Sequence, residues 1–118
     1  MGNRLRFPFP DSKLSSNSRI SHRWLTRERE AARTVGYYIT KDAKLSFPKN
    51  ALLELSILIC PPDRRGRDDD NILTAFKSTR DGIFKALEMN DKCVRRTILE
   101  WGEIEKNGAL YVKLNILK

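Results

Sequence analysis

Ala51-Leu52-Leu53-Glu54-Leu55-Ser56-Ile57-Leu58-Ile59-Cys60 is the clearest strand in the chain. Leu53, Leu55, Ile57 and Ile59 recur every second residue and mark one apolar face, while Leu58 suggests partial cover on the other. Pro61-Pro62 stops the strand. A basic loop around Gly66 follows, Arg64-Arg65-Gly66-Arg67, and runs straight into Asp68-Asp69-Asp70-Asn71. From about Asp69 to Glu88 the apolar period changes to that of a helix. Ile72, Leu73, Ala75, Phe76, Ile83, Phe84, Ala86 and Leu87 share one broad face. Asp70, Thr74, Lys77 and Asp81 follow on the opposite face at helical spacing. Gly82 in the interior weakens such a helix by roughly 1 kcal/mol. Arg80 falls toward the apolar side, and the sequence names no partner for it.

Outward from this strand-loop-helix unit, residues 4–9 alternate and meet Pro10-Asp11, which reads as a short edge strand. Residues 11–18 form a polar loop. A charged helix with a thin apolar stripe is expected from about Ser21 to Lys41, and Pro48-Lys49-Asn50 is a turn. After Asn90-Asp91 two strands are expected, about Val94 to Glu103 and Ala109 to Leu117, with Trp101 in the core. Asn107-Gly108 between them is a hairpin signal. The predicted fold is α/β: a small mixed sheet with two helices packed against it, in the order β-α-β-α-β-β.

The chain has 118 residues, of which 40% are hydrophobic, and a formal net charge of +8. That length suits one domain over 1–118. Its core is small, and pairing of two copies is an expected way to extend it. A pI near 9.8 points to a polyanion. Nucleic acid is favoured over a membrane, because the chain carries no long apolar run and no basic amphipathic anchor. The first residues lack the apolar stretch of a signal peptide, so a cytoplasmic setting is expected. Cys60 and Cys93 stand apart, without zinc-ligand spacing, and read as reduced thiols.

Three arginines against three aspartates repel within each block. A function that needs both signs resolves the conflict. Carboxylates hold a divalent cation, arginines hold phosphates, and cleavage of a nucleic-acid backbone uses both at one place. The plainer alternative is a solvated loop leading to a capped helix. In an extended segment Asp68 and Asp70 would point the same way, leaving Asp69 as the helix cap. Lys77, on the face of Asp70, could reach a scissile phosphate or simply bridge Asp81 or Asp70. Asp91 is a candidate third carboxylate, or a plain turn residue. Arg64, Arg65 and Arg67 suggest phosphate contacts, and Arg95 and Arg96 would extend the same surface. Arg19 and Arg23 read equally as DNA contacts or as solubilising charge. His22 receives no catalytic role.

The chain resembles the RusA-type Holliday junction resolvases, especially their phage-encoded relatives. The similarity lies in Asp63 to Asn71, then Lys77, Asp81-Gly82 and Asn90-Asp91, which looks like the family's R-D-x-D-N…K…D-G…D-D framework. Leu14 to Arg19 and His22-Arg23-Trp24 are similar to the family's asparagine-containing loop and the start of its first helix. Nearly the whole chain is covered, in order. Two positions depart from the pattern: Thr74 stands where some members carry the lysine, and Asn90 replaces one acid of the D-D pair. The resemblance implies a homodimeric endodeoxyribonuclease that uses Mg²⁺, or Mn²⁺ in its place, on four-way branched DNA. Carried over by motif, Asp68, Asp70 and Asp91 are the metal-binding acids and Lys77 the catalytic lysine. Arg64, Arg65, Arg67, Asn71, Arg95 and Arg96 are the expected DNA contacts. The alternatives are a non-catalytic DNA-binding module of the same fold, or a metal nuclease acting on other branched DNA or RNA.

Overall fold

The computed structural model describes residues 4–14 and 21–117. The elements run β1 (Leu5–Pro8), α1 (His22–Asp42), β2 (Leu52–Cys60), α2 (Asp69–Leu87), β3 (Val94–Trp101) and β4 (Ala109–Leu117). The fold is a small α/β domain: a four-stranded mixed sheet with two helices. The strand order is β1-β4-β2-β3. β4 lies antiparallel to both β1 and β2, whereas β3 lies parallel to β2.

The alternation in β2 does what period-two patterning requires. Leu53, Leu55, Ile57 and Ile59 are at most 1% exposed. They meet Phe7 of β1, Leu110, Val112 and Leu114 of β4, and the apolar face of α2 in one core. Within that core Phe7 packs edge-on to Phe76, with ring centroids 6.1 Å apart. Pro8 sits in an edge strand, where its missing N–H breaks no central ladder.

Two expectations about the last strands are corrected. Asn107-Gly108 does turn the chain: both residues have positive φ, and the Gly108 amide donates to the Glu105 carbonyl. The turn does not join a hairpin, because β2 lies between β3 and β4. The chain passes from β3 around the end of β2, where the Gly102 amide donates to the Ile59 carbonyl and the Glu105 amide to the Pro61 carbonyl. An Asn-Gly pair sets a turn's backbone but not the partner of the strand that follows. Trp101 is not in the core. It ends the edge strand β3 and is 47% exposed.

α1 packs on α2. It begins at the Ser21 cap, whose hydroxyl accepts from the Trp24 amide. The two helices approach closely at two glycines. A Cβ on Gly36 would lie 2.2 Å from the Thr79 carbonyl oxygen, and one on Gly82 would lie 2.0 Å from that of Arg33. Both obstacles are backbone and cannot swing aside. Gly82 therefore lowers the helix propensity of α2 in exchange for the crossing that positions α1. Gly82→Ala should destabilise the domain by about 1–3 kcal/mol or more, as overpacking does, although propensity alone favours alanine by about 1 kcal/mol. Urea denaturation reads the sign directly.

Both cysteines are free thiols, with Cys60 buried. Burial is the largest cause that raises both thiol pKa values, which keeps them protonated near neutrality. No helix among the described residues is long and apolar enough to cross a membrane.

Candidate nucleic-acid and metal site

The basic loop after β2 is held by its own residues. The Asp63 carboxylate accepts from the Arg65 amide and pairs with the Arg67 guanidinium at 3.0 Å. The Arg67 guanidinium also donates to the Arg65 carbonyl at 3.0 Å and lies 5.4 Å from the Phe9 ring centroid. Its bond holds the Asp63 carboxyl below the usual carboxylate range. Only 14% of the Arg67 side chain is exposed, against 78% for Arg65. Arg67 thus shapes the loop, while Arg64 and Arg65 are exposed.

The chain turns helical one residue earlier than a cap at Asp69 would require. Asp68 occupies the N-cap position in extended conformation, and its side chain makes no capping bond. Asp69 is the first helical residue, and its carboxylate accepts from the Asp70 amide. The alternation expected to align Asp68 with Asp70 therefore breaks, because one residue is extended and the other is helical. Asp68 lines a hollow with Arg65, Arg67 and Asn71. Asp70 is exposed in the first turn of α2, where the helix dipole favours negative charge.

Farther along α2, a second hollow of about 300 Å³ is lined by Thr74, Lys77 and Arg80, with Asp91 facing them from the turn before β3. Leu55, Ile57 and Phe76 form its apolar floor. Lys77 and Asp91, fourteen positions apart in the chain, line this one hollow. The Lys77 side chain is 71% exposed, and its ammonium is 3.9 Å from Asp81. That pair is long and solvated, so it restrains the lysine little.

Sequence reasoning missed Arg80. Its Nε lies 3.9 Å from the Asp91 carboxylate, and that nitrogen is buried without a hydrogen-bond partner. The signal was there, an arginine on the apolar side of a helix. Its partner comes from the next element and carries no helical spacing.

Arg95 and Arg96 stand apart from this hollow. The β2–β3 register shifts at Arg95, so that Arg96 pairs with Glu54. The two side chains form a 2.9 Å ion pair. Glu54 lies between the inward-facing Leu53 and Leu55, so this pair occupies the outer sheet face. His22 opens α1, exposed. Ser15 to Arg19, in the loop that carried part of the family resemblance, lie outside the described residues.

Carboxylate oxygens are suitable donors for a hard cation such as Mg²⁺. Among the described residues, no three His, Cys, Asp or Glu side chains come together as a ligand group. Mg²⁺ dehydrates reluctantly and is commonly bound by one or two carboxylates plus substrate phosphate, keeping several waters. Asp68, Asp70 and Asp91 form no closed cage of three, so an open mode of that kind is the one these residues could serve.

The fold and this surface together define a small α/β domain with a mixed-charge face built on one helix and its flanking loops. The chain is similar to an uncharacterized protein of Xylella fastidiosa (strain Temecula1 / ATCC 700964), 37% identical over 93 residues. The match covers 75% of this chain and 60% of that protein, so the chain spans less than two thirds of the relative's length. No protein-family model matches the chain.

Proposed function

We propose that this chain is an endodeoxyribonuclease of the RusA-type resolvase family, nicking four-way DNA junctions by Mg²⁺-assisted phosphodiester hydrolysis. The observation that carries the reading is the hollow shared by Lys77 and Asp91, beside the helix whose first turn carries Asp69 and Asp70. Nothing about core packing requires an exposed lysine and a half-exposed aspartate at this place. Lys77 offers the positive charge that a scissile phosphate needs, and Asp91 a carboxylate that could hold the metal.

Asp68, Asp70 and Asp91 are the candidate acids, and one or two of them, with substrate phosphate and water, would hold Mg²⁺. When bound, the ion supplies an activated water and neutralises charge on the phosphate. Lys77 stabilises the charge that develops on the phosphate oxygens. Arg80 holds a fixed positive charge beside Asp91 in the same hollow. Arg64 and Arg65 bind flanking phosphates. The junction has two strands to cut, and a two-fold dimer carries two such sites.

The direct test is a substrate panel of four-way junction, flap, duplex and hairpin RNA, with and without Mg²⁺. Junction nicking that requires the metal supports the reading. Tight junction binding with no nicking in Mg²⁺ or Mn²⁺ would leave a binding module of the same fold.

A dimer is supported by the surface. Among the described residues β3 is an edge strand whose far side is unpaired, and Trp101 and Ile104 beside it are each 47% exposed. Such an edge with apolar residues at its end favours pairing with another chain. Sedimentation equilibrium at micromolar concentration should give twice the chain mass. A chain that stays monomeric even on junction DNA would count heavily against resolution by paired nicks.

A further inference from the structure

The hollow shared by Lys77 and Asp91 does not stand alone. Thr74 and Lys77 also line a neighbouring hollow whose far wall is Arg29 and Arg33 of α1. Arg33 in turn lines a third and larger one, of about 490 Å³, with Tyr37, Tyr38 and Lys85. Shared lining residues set the three side by side along α1 and α2, as an interrupted surface groove that starts at the candidate cleavage site. From Lys77 to Lys85 it follows α2 for roughly 12 Å at 1.5 Å per residue. That length suits a short stretch of single strand.

Its walls carry both signs, with Glu30 and Asp81 among the cations. The acids do not dominate. Glu30 and Asp81 are outnumbered by Arg29, Arg33, Lys77 and Lys85. At the far end the Lys41 and Lys85 ammonium groups each sit 5.8 Å from the centroid of the Tyr37 ring. Tyr38 meets Tyr37 edge-on at 5.1 Å and is itself 60% exposed. A large ring left in water among cations contributes nothing to the core. Its chemistry suits a nucleobase, which stacks on an aromatic face while nearby cations hold the phosphates.

We propose that this groove carries an unpaired DNA strand, with phosphates on Arg33, Lys41 and Lys85 and a base stacked on Tyr38. The site itself stands on the groove's geometry and charge. That the strand leads away from a point of cleavage rests on the nuclease reading above.

The test is fluorescence anisotropy in EDTA, with a fifteen-nucleotide oligo-dT and an abasic strand of equal length as probes. Tyr38→Ala should weaken oligo-dT binding about tenfold, the scale for removing one ring on which a base stacks. It should leave the abasic strand unchanged, and Tyr38→Phe should retain parental affinity. Lys41→Gln with Lys85→Gln should flatten the salt dependence for both strands by about 0.7 for each phosphate that is no longer neutralised. Equal oligo-dT affinity for Tyr38→Ala and the parent overturns the proposal. So does a Tyr38→Ala change that abolishes self-association without altering strand affinity, since the groove would then be an interface between copies. A Tyr38-dependent preference in a protein that nicks no branched DNA keeps the strand site and sinks the nuclease reading. Junction nicking without that preference does the reverse.

Discussion

Asp70→Asn protein is expected to bind four-way junctions at least as tightly as the parent and to lose Mg²⁺-dependent nicking almost entirely. Asp70 is exposed in the first turn of α2, so its carboxylate holds no core contact. Asparagine keeps the shape and removes one negative charge from a surface that must accept phosphate. Binding therefore stays level or tightens. The helix loses a favourable charge near its N-terminus, about 0.3–1 kcal/mol, too little to unfold the domain. The rate should drop by about 10³-fold or more if the carboxylate is a metal ligand, at or beyond the upper scale for one lost electrostatic stabiliser. Nicking of a labelled junction over a Mg²⁺ series separates a raised metal requirement from a dead site. Parental rates at every concentration would move the active centre elsewhere.

Lys77→Ala should slow cleavage by about 10²-fold while junction affinity falls only modestly. The side chain is 71% exposed and its nearest acid is 3.9 Å away, so its removal disturbs no packing. Alanine is the best helix former, and thermal stability should barely change. Arg64 and Arg65 still neutralise phosphates in the variant, which is why binding persists. Single-turnover cleavage with saturating enzyme isolates the chemical step. An unchanged rate there removes Lys77 from the mechanism and shifts attention to Arg80, the other cation in the same hollow.

Much of the fold was legible because local periodicity and core burial agree. The alternation of Leu53, Leu55, Ile57 and Ile59 gives a buried strand face, and the helical spacing from Ile72 to Phe84 gives a buried helix face. Ser21 caps its helix as its side-chain chemistry allows. The candidate site was legible in part. Lys77 and Asp91 reach one hollow, but Asp68 and Asp70 part at the first turn of α2, where the backbone changes from extended to helical. Arg67 read as a phosphate contact from its neighbours' charge. In the fold it braces the loop, because Asp63 and two backbone carbonyls lie within reach.

Period, charge and turn chemistry act over a few residues, and these alone specified the strands, the helices, the basic loop and the acidic first turn of α2. Partner choice is different, since it depends on which distant segments meet. Asn107-Gly108 turns the chain, yet β3 parallel to β2 and β4 on the far side of β2 follow from packing the whole sheet. That placement leaves Trp101 exposed on an edge, although its large aromatic ring reads in the sequence as a core residue. Gly82 reads locally as a flaw in a helix, and the backbone of Arg33 on α1 makes it a requirement. Arg80 finds Asp91, and Arg33 joins the Lys77 hollow to Tyr37 and Tyr38, only when α1 and α2 cross. Meetings between distant segments leave no period in the chain, so the site's surroundings and the groove beyond it come from tertiary packing.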